Sequence, residues 1–168
     1  MNKIKFFLIT ITLLFFSNCG YKPIYSSTNK NNEKLLYVSV KSIKDRPGQI
    51  LRNNLSKQLN PQNKKAIPKY YLFVEFNENK EELGYRKDMS ATRTNLEINV
   101  DYNLKNINDG ETILKGSTKV ISSYDVVESI YATIIAEKDA RIKGLKTISD
   151  TIVNELAIYF NNIKLIIL

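Results

Sequence analysis

Apolar positions along this chain repeat first with period two and later with period three to four. Leu35–Ile43 (LLYVSVKSI) alternates at Leu36, Val38 and Val40 and predicts a strand. Asp45 is placed to cap a helix, with Pro47 in its first turn, where a missing N–H is harmless. Leu51, Leu55 and Leu59 then fall four apart on one face beside Ile50, and Asn60-Pro61 stops the helix. Tyr70–Phe76 (YYLFVEF) is apolar on both faces, the mark of an interior strand. Leu96, Ile98, Val100, Tyr102 and Leu104 alternate with polar residues to form a third strand. Asp109-Gly110 closes the hairpin that leads into a fourth strand over Thr112–Tyr124. From about Val126 to Phe160 the period is helical, with Ile142, Leu145, Ile148, Ile152, Leu156 and Tyr159 as a stripe and Ala132, Ala136 and Ala140 as a small-residue track. Gly144 predicts a kink or break in that helix.

The element order is therefore β-α-β-β-β-α. It predicts an α+β, two-layer domain: a four-stranded, mostly antiparallel sheet with two helices on one face. The other face would carry Asn95, Glu97, Asn99, Asp101, Asn103, Lys115, Ser117 and Lys119. Such a face is the wet side of the domain or stands against another polar wall, and the pattern alone leaves both open.

Upstream of the first strand the pattern changes character. Met1–Lys5 carries two lysines and no acid, and Phe6–Phe16 (FFLITITLLFF) is eleven apolar or β-branched residues. A basic segment followed by a short apolar one has signal-peptide form and falls short of the roughly 20 residues of a spanning helix. Directly after it, in Ser17-Asn18-Cys19-Gly20, lies the chain's single cysteine. One cysteine excludes an internal disulfide. With no histidine in the chain, a Cys/His metal site and a histidine-activated thiol are excluded too. The position resembles a bacterial lipobox, in which the cysteine becomes the acylated first residue. Phe16 stands where that pattern prefers Leu, and Asn18 where it prefers Gly, Ala or Ser. Several acyl chains on Cys19 would hold the domain to a bilayer durably, which one chain alone does not achieve. Gly20, in place of Asp, points to the outer membrane. The expected organisation is a lipoprotein signal peptide at 1–18 and a lipidated N-terminus with a flexible tether at 19–34. The α+β domain then covers 35–160, with a C-terminal tail at 161–168.

Composition refines this reading only slightly. Hydrophobic residues make up 43% of the 168, enough for a core, and the formal charge is +8. Removing Lys3 and Lys5 with the signal peptide leaves the mature chain at about +6. An exported, anchored protein does not meet nucleic acid, so that charge suits anionic lipid or lipopolysaccharide phosphate. No nucleophile–base pair, carboxylate pair or metal-ligand cluster converges in the sequence. The expectation is a protein that is not an enzyme and needs no cofactor or metal.

Several short motifs, taken in order, resemble one family. Cys19-Gly20-Tyr21-Lys22-Pro23-Ile24-Tyr25 looks like the mature N-terminus of the LptE family of lipopolysaccharide-assembly lipoproteins. Ile43–Gln49 (IKDRPGQ) with Leu51-Arg52-Asn53 resembles the entry to that family's first helix. Asp88–Arg93 (DMSATR) resembles the lead into its third strand. Ser123-Tyr124-Asp125, Tyr131-Ala132 and Glu137–Ala140 (EKDA) look like the start of its long second helix. The resemblance runs from the signal peptide to about residue 160. It implies the same β-α-β-β-β-α fold and a lipid-anchored protein at the outer membrane, facing the periplasm. Its implied role is to plug and help assemble a large LptD β-barrel and to take part in moving lipopolysaccharide to the cell surface. The residues expected to meet lipopolysaccharide phosphates are Arg93, Arg86 and Lys87 around the turn between the second and third strands. Lys115 and Lys119 on the fourth strand are expected to join them. Two alternatives share the anchor and the small domain: an auxiliary lipoprotein of an envelope lipid ABC transporter, and a pilot lipoprotein for another outer-membrane barrel.

Overall fold

The computed structural model describes residues 32–85 and 91–166. Four strands and two long helices follow in the order β1 (Val38–Val40), α1 (Asp45–Leu59), β2 (Tyr70–Tyr85), β3 (Ala91–Asn106), β4 (Thr112–Asp125) and α2 (Ile130–Ile166). A one-turn helix, Asn32–Leu35, precedes β1. The sheet order is β1-β2-β3-β4; β1 runs parallel to β2, and the other pairs are antiparallel. This is the expected α+β architecture, with the doubly apolar β2 in an interior position.

The core lies between the inner sheet face and the two helices. Leu51, Leu55 and Leu59 of α1 are buried, as their spacing requires, together with Leu145, Ile148, Ile152 and Leu156 of α2. Each such leucine or isoleucine contributes about 1.5–3 kcal/mol relative to an exposed position. From the sheet come Leu72 and Val74 of β2 and the whole inward set of β3, from Leu96 to Leu104. Gln58 ties the helices together, donating to Ser149 Oγ at 3.0 Å and to Asp150 Oδ1 at 2.6 Å.

Five local expectations need correction. The first strand is three residues long instead of nine, because Leu35 turns into the short helix and Lys41 leaves the sheet after donating to the Leu72 carbonyl at 2.9 Å. The helix cap is Lys44, with no side-chain cap bond, while Asp45 stands in the first turn at φ 63. Helix α2 passes through Gly144 without a break. A Cβ there would meet Ile98 Cδ1 at 3.0 Å and Ser122 Oγ at 3.1 Å, so the glycine serves close helix–sheet approach. Ile142 is exposed and lies off the buried stripe. Helix α2 also starts later than the periodicity suggests, at Ile130, and continues through Asn161 to Ile166.

The hairpin signal holds. Asn106 N–H donates to the Glu111 carbonyl at 2.9 Å, and Gly110 takes φ 72, a conformation that glycine adopts without penalty. Strands β2 and β3, at 16 residues each, are far longer than their apolar runs suggest and span about 50 Å. The sheet thus has two ends. Its proximal end holds β1, the start of β2 and the β3–β4 turn. Its distal end holds the tips of β2 and β3 and the start of α2. Among the described residues no helix is long and apolar enough to cross a membrane.

Candidate functional site

Strand alternation sends every second side chain away from the helices. The face so formed presents an extended, ordered array of polar groups. Register fixes its rows. Arg93 lies opposite Asp125 and Leu83; Asn95 opposite Ser123 and Glu81; Glu97 opposite Ile121 and Asn79; Asn99 opposite Lys119 and Asn77. Asp101 follows opposite Ser117 and Glu75, then Asn103 opposite Lys115 and Phe73. All eight residues expected on the uncovered face lie there.

Its centre is an amide and hydroxyl belt with internal bonds. Ser123 Oγ donates to Asn95 Oδ1 at 2.6 Å, and Asn99 Nδ2 donates to Glu97 Oε1 at 2.8 Å. Lys119 Nζ sits 2.8 Å from Glu97 Oε2. That bond, followed by the one from Asn99, holds the Glu97 carboxyl below its ordinary range. Asp101 and Glu75 are directly opposite one another, two acids side by side in the middle of the face.

These acids determine how the anticipated basic residues relate. Arg93 is exposed near the distal end, its Nε 4.0 Å from Asp125 Oδ1 across the strand pair. Lys119 is committed to Glu97. Lys115 lies four residues closer to the proximal end, about 13 Å along β4 from Lys119, beyond the row of Asp101. Arg93 and Lys115 therefore stand some 30 Å apart by strand rise and cannot grip one phosphate. Arg86, Lys87 and Cys19 lie outside the described residues.

On the helix-facing side, the distal half holds an ionic clamp. Arg141 of α2 donates through Nε to both carboxylate oxygens of Glu78 at 3.0 Å and through an η nitrogen to Glu137 Oε1 at 2.6 Å. Lys80 Nζ reaches Glu137 Oε2 at 2.9 Å, and the Tyr124 hydroxyl donates to the same oxygen at 3.3 Å. Burial pushes the Glu137 carboxyl up, but its bonds and proximity to Lys80 and Arg141 outweigh this and leave it below its ordinary range. Burial also opposes the Arg141 charge, and its two carboxylate partners overcome that, raising its affinity for the proton. Burial and then the Glu137 charge push the Tyr124 hydroxyl up. The i,i+4 pair Glu137–Arg141 was open to detection in the sequence. Its partners were not, because Glu78 and Lys80 simply end the apolar run of β2.

Beyond the clamp, α2 projects an apolar stripe into solvent. Ile130, Tyr131, Ile134 and Ile135 are all exposed, with Val127 just before the helix. Among the described residues no cluster of carboxylate and thiol ligands could hold a metal.

No family model matches the chain, and no curated protein matches it. Solved structures do resemble it. A lipoprotein of Caulobacter crescentus CB15 superposes with a TM-score of 0.67 at 24% identity, over 78% of this chain and 96% of that one. A minor lipoprotein of Acinetobacter baumannii gives 0.57 at 15% identity, covering 71% and 89%. The rare lipoprotein B of Shewanella oneidensis gives 0.57 at 12%, covering 76% and 98%. At these identities the shared property is the fold.

Proposed function

We propose that this chain is an outer-membrane lipoprotein of the LptE type, anchored through Cys19 and facing the periplasm. Its domain plugs and helps assemble an LptD-like β-barrel and takes part in lipopolysaccharide transport. It works by binding and shape, without catalysis.

The observation that carries this reading is the uncovered sheet face. About 50 Å of ordered strand presents mainly amides, hydroxyls and charged groups on one side, with Phe73 and Ile121 among them, while both helices are confined to the other. Polar walls of this kind suit the interior of a large barrel, whose lumen-facing residues are themselves polar. The family-like motifs support it from within the fold. In Arg46-Pro47-Gly48, the glycine is buried where a Cβ would lie 2.6 Å from Ile43 Cγ2 and 2.9 Å from Phe76 Cε1, so this motif seats α1 against β2. Solved structures named as lipoproteins share the architecture. In this reading Arg93, an exposed cation of the distal sheet, meets lipopolysaccharide phosphate together with Arg86 and Lys87.

Gentle detergent extraction of the tagged protein, with mass identification of what co-purifies, tests the reading. A near-equimolar large outer-membrane barrel is the expected result. An ATPase–permease set in its place overturns it in favour of a lipid-transporter auxiliary.

A further inference from the structure

Three lysines at the proximal end of the uncovered face lie over aromatic rings. Lys41 Nζ is 3.4 Å from the centroid of Tyr71, Lys69 Nζ is 4.7 Å from that of Tyr37, and Lys105 Nζ is 5.4 Å from that of Phe73. The pairing is a product of the fold. Tyr71 and Lys105 are register partners on β2 and β3, and Lys69 N–H donates to the Tyr37 carbonyl at 2.8 Å where β2 begins beside β1. Among the described residues, none of these ammonium groups is paired with a carboxylate.

Beside them, the loop between α1 and β2 carries Lys64 and Lys65 and then Ile67, which is 85% exposed, the highest value among the large apolar side chains described. Acids at this end are few and partly committed. Asp109 is engaged by Asn106 Nδ2 and by the Glu111 N–H, each at 2.9 Å; Glu111 is exposed, and Glu75 and Asp101 bound the patch on the sheet side. Lysines over aromatic rings next to a protruding isoleucine combine a cationic surface with an apolar tip, the chemistry of a membrane interface.

With Cys19 as the anchor, the tether holds this end of the sheet nearer the bilayer than the other. The described chain begins at Asn32, at the proximal end, 13 residues after Cys19. Those residues reach at most about 45 Å fully extended. The distal end lies about 50 Å further along the sheet. A domain tethered there meets the surface with its proximal end first.

We propose that, while the domain stands outside its barrel partner, the proximal patch of Lys41, Lys69 and Lys105, with Ile67 at its rim, docks on an anionic phospholipid surface and orients the domain, distal end away from the membrane. Lysine charge supplies attraction that neutral lipid lacks, Ile67 enters the interface, and the rings hold the ammonium groups at headgroup level. The proposal rests on the Cys19 anchor of the preceding reading.

Because the chain's one cysteine is the acylation site, an introduced cysteine is a unique label. Acylated protein carrying a nitroxide at Ile67→Cys, or at Ile134→Cys near the distal end, is reconstituted in phosphatidylcholine vesicles with and without about one-third phosphatidylglycerol. The label at 67 is expected to become accessible to bilayer-dissolved oxygen in the anionic vesicles only. It should return to water in high salt or when Lys41, Lys69 and Lys105 are all changed to Gln, while the label at 134 stays aqueous throughout. A label at 67 that is as aqueous as that at 134, or that enters neutral vesicles equally, overturns the proposal. The anchor is read separately, by acyl mass and flotation with neutral vesicles. If acylation is absent, a Cys19→Ser background is floated with anionic vesicles. There the triple substitution is expected to lower binding about 100-fold, and an unchanged partition overturns docking.

Discussion

Arg141 and Glu78, 63 residues apart, meet with both carboxylate oxygens 3.0 Å from one guanidinium nitrogen. Their side chains keep only 20% and 19% of their exposure, so the pair is largely withdrawn from water. Removing Arg141 takes from Glu78 and Glu137 the cation that they share, while Glu137 keeps Lys80. Arg141→Ala is expected to destabilise the domain by about 2–4 kcal/mol, less than a fully buried pair would lose in the worst case. Urea unfolding measures this, and the loss should shrink in a Glu78→Gln background, since the two changes share one interaction.

Acid should act on the same clamp. The Glu137 carboxyl sits below its ordinary range in the folded state, so its contribution is present above the unfolded pKa of about 4.3. That contribution is lost as pH falls through the folded value. Stability measured from pH 6 down to about 3 is expected to fall more steeply for the native chain than for Glu137→Gln. Equal slopes would show that Glu137 is not the group responsible.

Gly116 lies beneath the Tyr102 ring, whose hydroxyl donates to Glu155 on α2. A Cβ at position 116 would occupy the space of the ring itself. Gly116→Ala is expected to cost about 1–3 kcal/mol by forcing Tyr102 away from Glu155. The same change in a Tyr102→Ala background should cost far less. Thermal unfolding of the four variants reads this coupling directly.

Arg93 separates stability from binding. Its contact with Asp125 is long and exposed, so Arg93→Ala should leave the melting temperature nearly unchanged, within about 0.5 kcal/mol. Lipopolysaccharide association, measured by equilibrium binding, is expected to weaken roughly tenfold through loss of a charge-assisted contact. Changing Lys119 should affect binding less, because Glu97 already holds its charge.

Cys19→Ala is expected to move the domain from the membrane fraction to the soluble fraction in cells that lack its partner. Fractionation and immunoblotting check this. Retention at the membrane would show that contacts beyond the acyl chains suffice.

Much of this was legible along the chain because it depends on neighbours. The leucines of α1 had to share a face at spacing four, and Asp109-Gly110 had to turn. The alternation of β3 had to bury Leu96 to Leu104 and expose Asn95 to Asn103. Where a local signal misled, packing was the competitor: Gly144 looks like a helix breaker but lets α2 approach Ile98 and Ser122 of the sheet closely. The distal half of β2 left no apolar pattern, since its inward positions are Glu78, Lys80 and Glu82, and β3 runs on past Leu96 through Thr94 and Thr92.

The sequence by itself determined the elements, their order, the buried and uncovered faces of the sheet and the lone candidate for an anchor. Periods of two and 3.6 are properties of the backbone that any folded context must respect. Only the tertiary structure decided which charges meet. It joined Glu78 and Lys80 to Glu137 and Arg141, and it set Asp101 between Lys115 and Lys119. It also laid Lys41, Lys69 and Lys105 on rings supplied by other segments. The physical reason is one of range: hydrophobic pattern acts through positions a turn or a pleat apart, whereas a charge is matched by whatever group the fold brings within a few ångströms.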